Sequence, residues 1–205
     1  MLYHEHVVLD NRRVPSLAEY WLPGIDVMSA ELGRYKACGG TSVVSLTNQC
    51  MGRDIAAMRS ISEASGVHIV AATGYYTRPA SPEIEDVRSV AREFQRELES
   101  GIGESGVRAG VIGEIGTGAW PLGDFERDLF AASALAHADT GAPIATHTHA
   151  GRHAEWQLEA LQSAGVPRIE SPWVTSTRAW ARRPTSSRSP GWPAAAPTSV
   201  STPSA

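Results

Sequence analysis

The sequence predicts an α/β fold, a partial (β/α)8 TIM barrel with about five of the eight strand–helix units of that fold. Apolar runs of strand length alternate strictly with amphipathic stretches of helix length, which is typical of a parallel sheet. Polar side chains cluster where the predicted strands end, at the edge where such barrels hold their active sites. A doubly wound sheet is the alternative, but the Gly-rich phosphate loop expected after its first strand is absent from the sequence.

The strands and helices are predicted from the spacing of apolar residues. Asp26 and Asp54 stand where they can cap the first two helices, because a carboxylate there accepts hydrogen bonds from free backbone N–H groups. The predicted strands cover residues 2–9, 42–46, 67–72, 108–114 and 143–146. The predicted helices cover residues 27–36, 55–65, 86–99, 125–140 and 154–164.

The composition changes abruptly near Ile169. Residues 170–205 are rich in Ser, Pro, Ala, Thr and Arg and show no apolar periodicity, which is typical of chain without regular structure. We therefore predict two regions, a partial barrel over residues 1–169 and an unstructured tail over residues 170–205.

Charge, hydropathy and cysteine usage narrow the class of protein. The net charge of −4 and the lack of a basic run argue against nucleic-acid binding. No apolar stretch approaches the ~20 residues that span a bilayer, so no membrane partner is expected. The two cysteines offer no disulfide framework and no signal peptide is visible, so we expect a reduced, cytoplasmic location.

Two histidines in the first predicted strand are candidate metal ligands. His4 and His6 are two residues apart, so their side chains share one face of the strand. Two imidazoles that converge at a barrel mouth suit zinc or a similar divalent cation. The alternative is a pair of partly buried structural histidines.

Two further candidates end the fourth and fifth predicted strands. Glu114 closes an apolar strand, where a carboxylate is costly unless it is paired or binds a metal. His147 closes the next strand. The alternatives are a salt bridge to an arginine for Glu114 and a hydrogen-bonded core histidine for His147. The joint occurrence of these residues at successive strand ends favours a metal site.

Five motifs occur together and in order in the first 169 residues. They are His4-Glu5-His6-Val7, Leu46-Thr47-Asn48 with Met51-Gly52-Arg53-Asp54, Ala72-Thr73-Gly74-Tyr75-Tyr76-Thr77, Arg108-Ala109-Gly110-Val111-Ile112-Gly113-Glu114-Ile115-Gly116 and Thr146-His147-Thr148. The set resembles the phosphotriesterase-like family of the amidohydrolase superfamily. The resemblance implies a (β/α)8 barrel with a binuclear metal centre, most often two Zn²⁺, that hydrolyses phosphotriesters, lactones or related esters.

The resemblance also implies a role for each candidate ligand. By position, His4 and His6 bind the more buried metal, His147 binds the second, and Glu114 bridges the two. Many members of the family bridge the metals with a carboxylated lysine, but Lys36 is the sole lysine and lies on a predicted helix. The chain is therefore similar to the subgroup with a bridging glutamate.

The position of Glu114 implies a local irregularity in its strand. Ungapped alignment with lysine-type members places Gly113 opposite their lysine. A local bulge in this strand would restore the phase and bring Glu114 into the site.

The resemblance further implies a small-molecule ester substrate and, in the intact family, a homodimer. Tyr75 and Tyr76 are candidates to line the substrate pocket, and packing in the core or at the rim is the alternative for both. Beyond a metal-bound water, no catalytic residue is assigned.

Two other functions remain open. A TatD-type metal-dependent nuclease also has a His-x-His pair and a Gly-Glu-Ile-Gly strand. The third possibility is a non-catalytic, metal-binding remnant.

The resemblance implies two more ligands, a histidine after a sixth strand and an aspartate after an eighth, and residues 169–205 supply neither. If residues 169–177 are written in GC-rich codons and read from the third base, the result is RVAVGHLD, which is similar to the family's sixth strand. We therefore hypothesise a frameshift near Arg168 and expect little or no hydrolase activity from the chain as written.

The nucleotide sequence across codons 168–177 tests the frameshift. We expect codons whose shifted frame encodes the Gly-His-Leu-Asp segment. An intact locus without those alternative codons would contradict the hypothesis.

Overall fold

The computed structural model describes residues 1–167, in which five strands alternate with five helices. Short 3-10 turns follow β2 and β5 and precede α1. The strands are β1 Leu2–Glu5, β2 Ser42–Ser45, β3 His68–Thr73, β4 Val111–Thr117 and β5 Ile144–Thr148. The helices are α1 Ile25–Ala37, α2 Ile55–Ser65, α3 Val87–Glu99, α4 Asp124–Thr140 and α5 Ala154–Ser163.

All neighbouring strands pair in parallel, in the order β1-β2-β3-β4-β5. Helices α1 to α4 each connect one strand to its neighbour in the sheet, and α5 follows β5, as in successive units of a (β/α)8 barrel. The predicted partial barrel is thus confirmed, with β1 and β5 at the two ends of the sheet formed by residues 1–167. The predicted tail, residues 170–205, lies outside the described residues.

The first unit departs from the prediction at two points. β1 ends at Glu5 rather than Leu9, because the chain then turns to pair with the segment before α1, where Leu22 N donates to Leu9 O. The predicted cap Asp26 is wrong, since α1 begins at Ile25, two residues before the predicted start, and Gly24 occupies the N-cap position. Asp26 instead lies in the first turn, where its charge still favours the helix N-terminus.

The second helix begins as predicted. The carboxylate of Asp54 accepts a hydrogen bond from the backbone N–H of Ala57 at 2.9 Å. Met58 and Ile61, which lie on one face of this helix, are buried in the core.

The apolar core lies on both sides of the sheet. A helix-facing cluster fills the space between the strands and the helices and includes Ile61, Phe94 and Leu129. An interior cluster lies on the opposite side, and its buried members are Val44, Leu46, Ala72, Val111 and Ala145. Burial of alternate side chains in separate clusters is what a closing barrel requires, because successive residues of a strand face opposite sides.

A buried ion pair joins the loop after β2 to α3. The guanidinium of Arg53 donates to both carboxylate oxygens of Glu97 at 2.7 Å, and also to the carbonyl of Ala72 at 2.6 Å. The two side chains are only 5% and 7% exposed, so each charge depends on the other for its stability. The pair therefore holds the loop that follows β2 against the end of β3.

None of the helices within residues 1–167 is both long and apolar enough to cross a bilayer.

Replacing Arg53 by alanine should destabilise the fold by about 3–5 kcal/mol, because it leaves the buried Glu97 carboxylate without its counter-charge. The free energy of unfolding in urea measures the effect. Arg34→Ala is the matched control, since Arg34 pairs with Glu31 on the exposed surface of α1, and it should cost no more than about 1 kcal/mol. Equal losses in the two variants would show that the Arg53 pair has no special structural role.

Candidate metal centre

The centre of the site is the carboxylate of Glu114, on a strand whose residues are all buried. The register between β4 and β5 shifts between Ile112 and Ile115, which is the irregularity that the assignment of Glu114 predicted. Gly113 allows it, because its φ of +150° disfavours other residues and a Cβ there would lie 2.6 Å from the carbonyl oxygen of Ala145.

Glu114 contacts two histidines through separate oxygens. Its Oε2 lies 2.6 Å from His4 Nε2, and its Oε1 lies 3.2 Å from His147 Nδ1. The carboxylate is 2% exposed, and among residues 1–167 both of its ion-pair partners are histidines. The arginine salt bridge that sequence reasoning left open is therefore not what the structure has.

His4, His6 and Glu114 form one compact cluster. Each of the three residues offers a ligand atom, and these atoms all lie within 4.8 Å of one another. Zinc binds imidazole nitrogen and carboxylate oxygen at about 2.0–2.2 Å, so ligand atoms at this spacing suit one shared cation after small adjustments. The chemistry of the donors, two imidazoles and a buried carboxylate, also fits zinc.

His147 lies on the other side of the carboxylate. Its Nε2 is 3.1 Å from the hydroxyl of Tyr76, so both of its ring nitrogens have polar neighbours. The Tyr76 ring meets the imidazole edge to face, with centroids 5.2 Å apart. Glu114 thus has the His4–His6 pair at one oxygen and the His147–Tyr76 pair at the other.

Tyr75 is not part of this group. It is buried in the helix-facing cluster, where its ring packs against Phe94 and its hydroxyl donates to Glu93 at 2.8 Å. Of the two tyrosines predicted to line the pocket, the structure places Tyr76 at the site and Tyr75 in the core.

Electrostatics act differently on the three residues of the cluster. Burial alone would raise the pKa of Glu114, but the contacts with His147 and His4 outweigh it and hold the pKa at about 2. Burial lowers the pKa of His6, which favours the neutral imidazole that a metal requires. The contact with Glu114 raises the pKa of His4, which favours the protonated imidazole and makes metal binding there compete with a proton.

Sequence reasoning quoted Thr47 and Asn48 in a motif but gave them no role. Thr47 Oγ1 lies 2.9 Å from His6 Nδ1, and the Asn48 amide donates to the backbone carbonyl of Glu114 at 3.1 Å. Both side chains are fully buried although polar. A buried Thr-Asn pair at a strand end is the sequence signal that these two residues position His6 and Glu114.

The family model described as the phosphotriesterase family matches residues 1–169. The chain belongs to the phosphotriesterase family. This membership decides against the TatD-type alternative and agrees with the resemblance carried by the five motifs.

Relatives in the phosphotriesterase family are similar in sequence and structure. The phosphotriesterase homology protein of Escherichia coli is 36% identical over 168 residues, or 80% of this chain and 58% of that protein. Its crystal structure, complexed with phosphate in the active site, superposes with a TM-score of 0.77 over the same shares of the two chains at 34% identity. Human N-acetyltaurine hydrolase is 31% identical over 69% of this chain and 41% of that protein.

A solved lactonase structure is also similar to this chain. A mutant of the phosphotriesterase-like lactonase of Deinococcus radiodurans is 27% identical, with a TM-score of 0.71 over 81% of this chain and 55% of that one. The match therefore spans between 41% and 58% of the length of these relatives.

Glu114→Gln should weaken zinc binding by about 100-fold or more, because it removes the only anionic donor of the three-residue cluster within residues 1–167. Competition with a chromophoric chelator measures the affinity. Glu5→Gln is the control, since Glu5 lies between His4 and His6 but is not a member of the cluster, and its effect should be much smaller although its charge acts on His4. An equal loss in both variants would contradict the assignment of Glu114 as a ligand.

Proposed function

We propose that the chain carries the front part of a metal-dependent hydrolase centre of the phosphotriesterase type. The intact centre hydrolyses phosphotriester, lactone or related ester bonds of small molecules with a metal-activated water. The observation that carries the proposal is the buried Glu114 carboxylate, whose two oxygens are directed to histidines from different strands.

The residues divide into two ligand groups. His4 and His6 would hold one divalent cation together with one oxygen of Glu114, and His147 would hold a second with the other oxygen. The nitrogen and oxygen donors favour Zn²⁺ at both positions. The chemistry that such cations supply is a water of lowered pKa and a polarised substrate oxygen.

The protein's own part is to fix this arrangement. Glu114 is held through its main chain, since its N–H donates to Leu46 O and its carbonyl accepts from Asn48. Tyr76 stands at the rim beside His147, where its hydroxyl can contact a substrate bound over the second position. Such fixed geometry matters because a metal site must hold its substrate and its water in line.

The class of substrate is inferred from relatives. The Deinococcus relative is named a lactonase, and the human relative is named for hydrolysis of N-acetyltaurine, whose acetyl group is joined to nitrogen. We propose that the substrate of this chain is an ester or a lactone. Hydrolysis of an acyl–nitrogen bond is a variant of the same reaction and is to be assayed beside it. We also propose a cytoplasmic location, in keeping with the two free cysteines.

The 205-residue chain by itself is proposed to be impaired. Within residues 1–167 the sheet has open ends at β1 and β5, so the site beside His4 and His147 is not enclosed by further strands. An open site admits water and leaves the substrate poorly oriented. A non-catalytic, metal-binding remnant remains the second candidate, because the ligand cluster is present without an enclosed barrel.

Hydrolysis assays separate these cases. With zinc, the 205-residue chain should turn over paraoxon, a lactone panel and N-acetyltaurine at close to the uncatalysed rates. A chain in which the shifted frame is restored after codon 168 should gain metal-dependent turnover of at least one of these compounds.

The matched control is His147→Asn in the restored chain, which should lower that turnover by about 100-fold or more. Robust turnover by the 205-residue chain would contradict the proposed impairment. Metal binding without turnover in the restored chain would contradict the hydrolase and support the non-catalytic remnant.

A further inference from the structure

We propose that Thr47 is a positioning residue for His6, holding the Nδ1–H of the imidazole so that the unprotonated Nε2 faces His4 and Glu114. This inference rests on the proposed function, because it assigns the ligand atom of one metal-binding histidine. Thr47 itself contacts no metal in this proposal and acts only through the ring of His6.

The geometry of the contact supports this role. Thr47 Oγ1 lies 2.9 Å from His6 Nδ1, across neighbouring parallel strands. The Thr47 side chain is 0% exposed, so water does not compete for its hydroxyl. A hydrogen bond of this length to a buried hydroxyl restrains the orientation of the ring.

The backbone around the contact is also held. Leu46 N donates to Glu5 O at 2.8 Å, and Val7 N donates to Ser45 Oγ at 3.3 Å. Glu5 and Val7 flank His6, and Ser45 and Leu46 directly precede Thr47. The hydroxyl and the ring are therefore fixed relative to each other even though His6 follows the last residue of β1.

The chemistry of neutral imidazole explains why this matters. One ring nitrogen carries the proton and the other is a free acceptor, and the partner of the first decides which nitrogen can bind a metal. Nδ1 faces Thr47, so Nε2 is the nitrogen left for the cluster with His4 and Glu114. If the hydroxyl instead donated to Nδ1, the proton would sit on Nε2 and would block that ligand position.

The chain offers a matched control at the next strand. Thr73 ends β3, is fully buried like Thr47, and its hydroxyl has no hydrogen-bond partner among the described residues. Thr→Val changes the same atoms at both positions. Only the change at Thr47 removes a contact with a histidine.

The first test is zinc affinity of the full 205-residue chain, measured by competition with a chromophoric chelator, with circular dichroism to check the fold. Thr47→Val should weaken binding by about 10–100-fold, the usual effect of losing a partner of a metal-bound histidine. Thr47→Ser, which keeps the hydroxyl, should restore most of the affinity, and Thr73→Val should leave it unchanged. Equal affinities of wild type and Thr47→Val, or an equal loss in Thr73→Val, would overturn the proposal.

The second test needs no metal and no variant. Long-range ¹⁵N–¹H correlation spectra of the metal-free wild-type chain, at a pH where His6 is neutral, report which ring nitrogen carries the proton. We expect the proton on Nδ1, and a proton on Nε2 would overturn the proposal. If the wild-type chain bound no zinc, the proposed metal centre would fail, while this spectrum would still decide the role of Thr47.

Discussion

The structure depends on one buried carboxylate that touches two histidines from distant strands. In a flat sheet β1 and β4 would lie roughly 14 Å apart, at about 4.8 Å for each pair of neighbours. His4 Nε2 and Glu114 Oε2 are nevertheless 2.6 Å apart, so the sheet must curve strongly towards its interior face. A buried charge is costly unless it is compensated. The Glu114 carboxylate therefore needs the histidines beside it, and His4 can reach it only because the sheet curves.

The interior of the sheet is built to allow that approach. Glu114 N donates to Leu46 O at 3.1 Å although β3 lies between β2 and β4 in the sheet order, so the two main chains meet across the interior. Small residues make room there: Gly113 lies against Ala145, and a Cβ on Gly74 would lie 3.1 Å from Gly113 N. On the outside, the Arg53–Glu97 pair holds the loop after β2, and thus the segment that carries Thr47 and Asn48.

The sequence predicts the strands, the helices and the candidate metal ligands because the signals for them are local. Asp54 caps α2 as its position predicts, and the alternation of apolar runs predicts every strand within a few residues. It failed at Asp26, because Gly24 in extended conformation starts α1 two residues earlier. It also could not separate Tyr75 from Tyr76, since adjacent residues with the same side chain differ only in which face of the fold each one meets.

The sequence by itself determined the fold class, the family and four candidate ligands, because motif order and apolar periodicity depend only on which residues follow one another. Tertiary structure alone decided which oxygen of Glu114 meets which histidine, that Tyr76 and not Tyr75 joins the site, and that Thr47 faces His6. His6 and Thr47 are 41 positions apart in the sequence, and Tyr76 and His147 are 71 positions apart. Distances of that kind follow from the curvature of the sheet and the register of its strands, which no local pattern encodes.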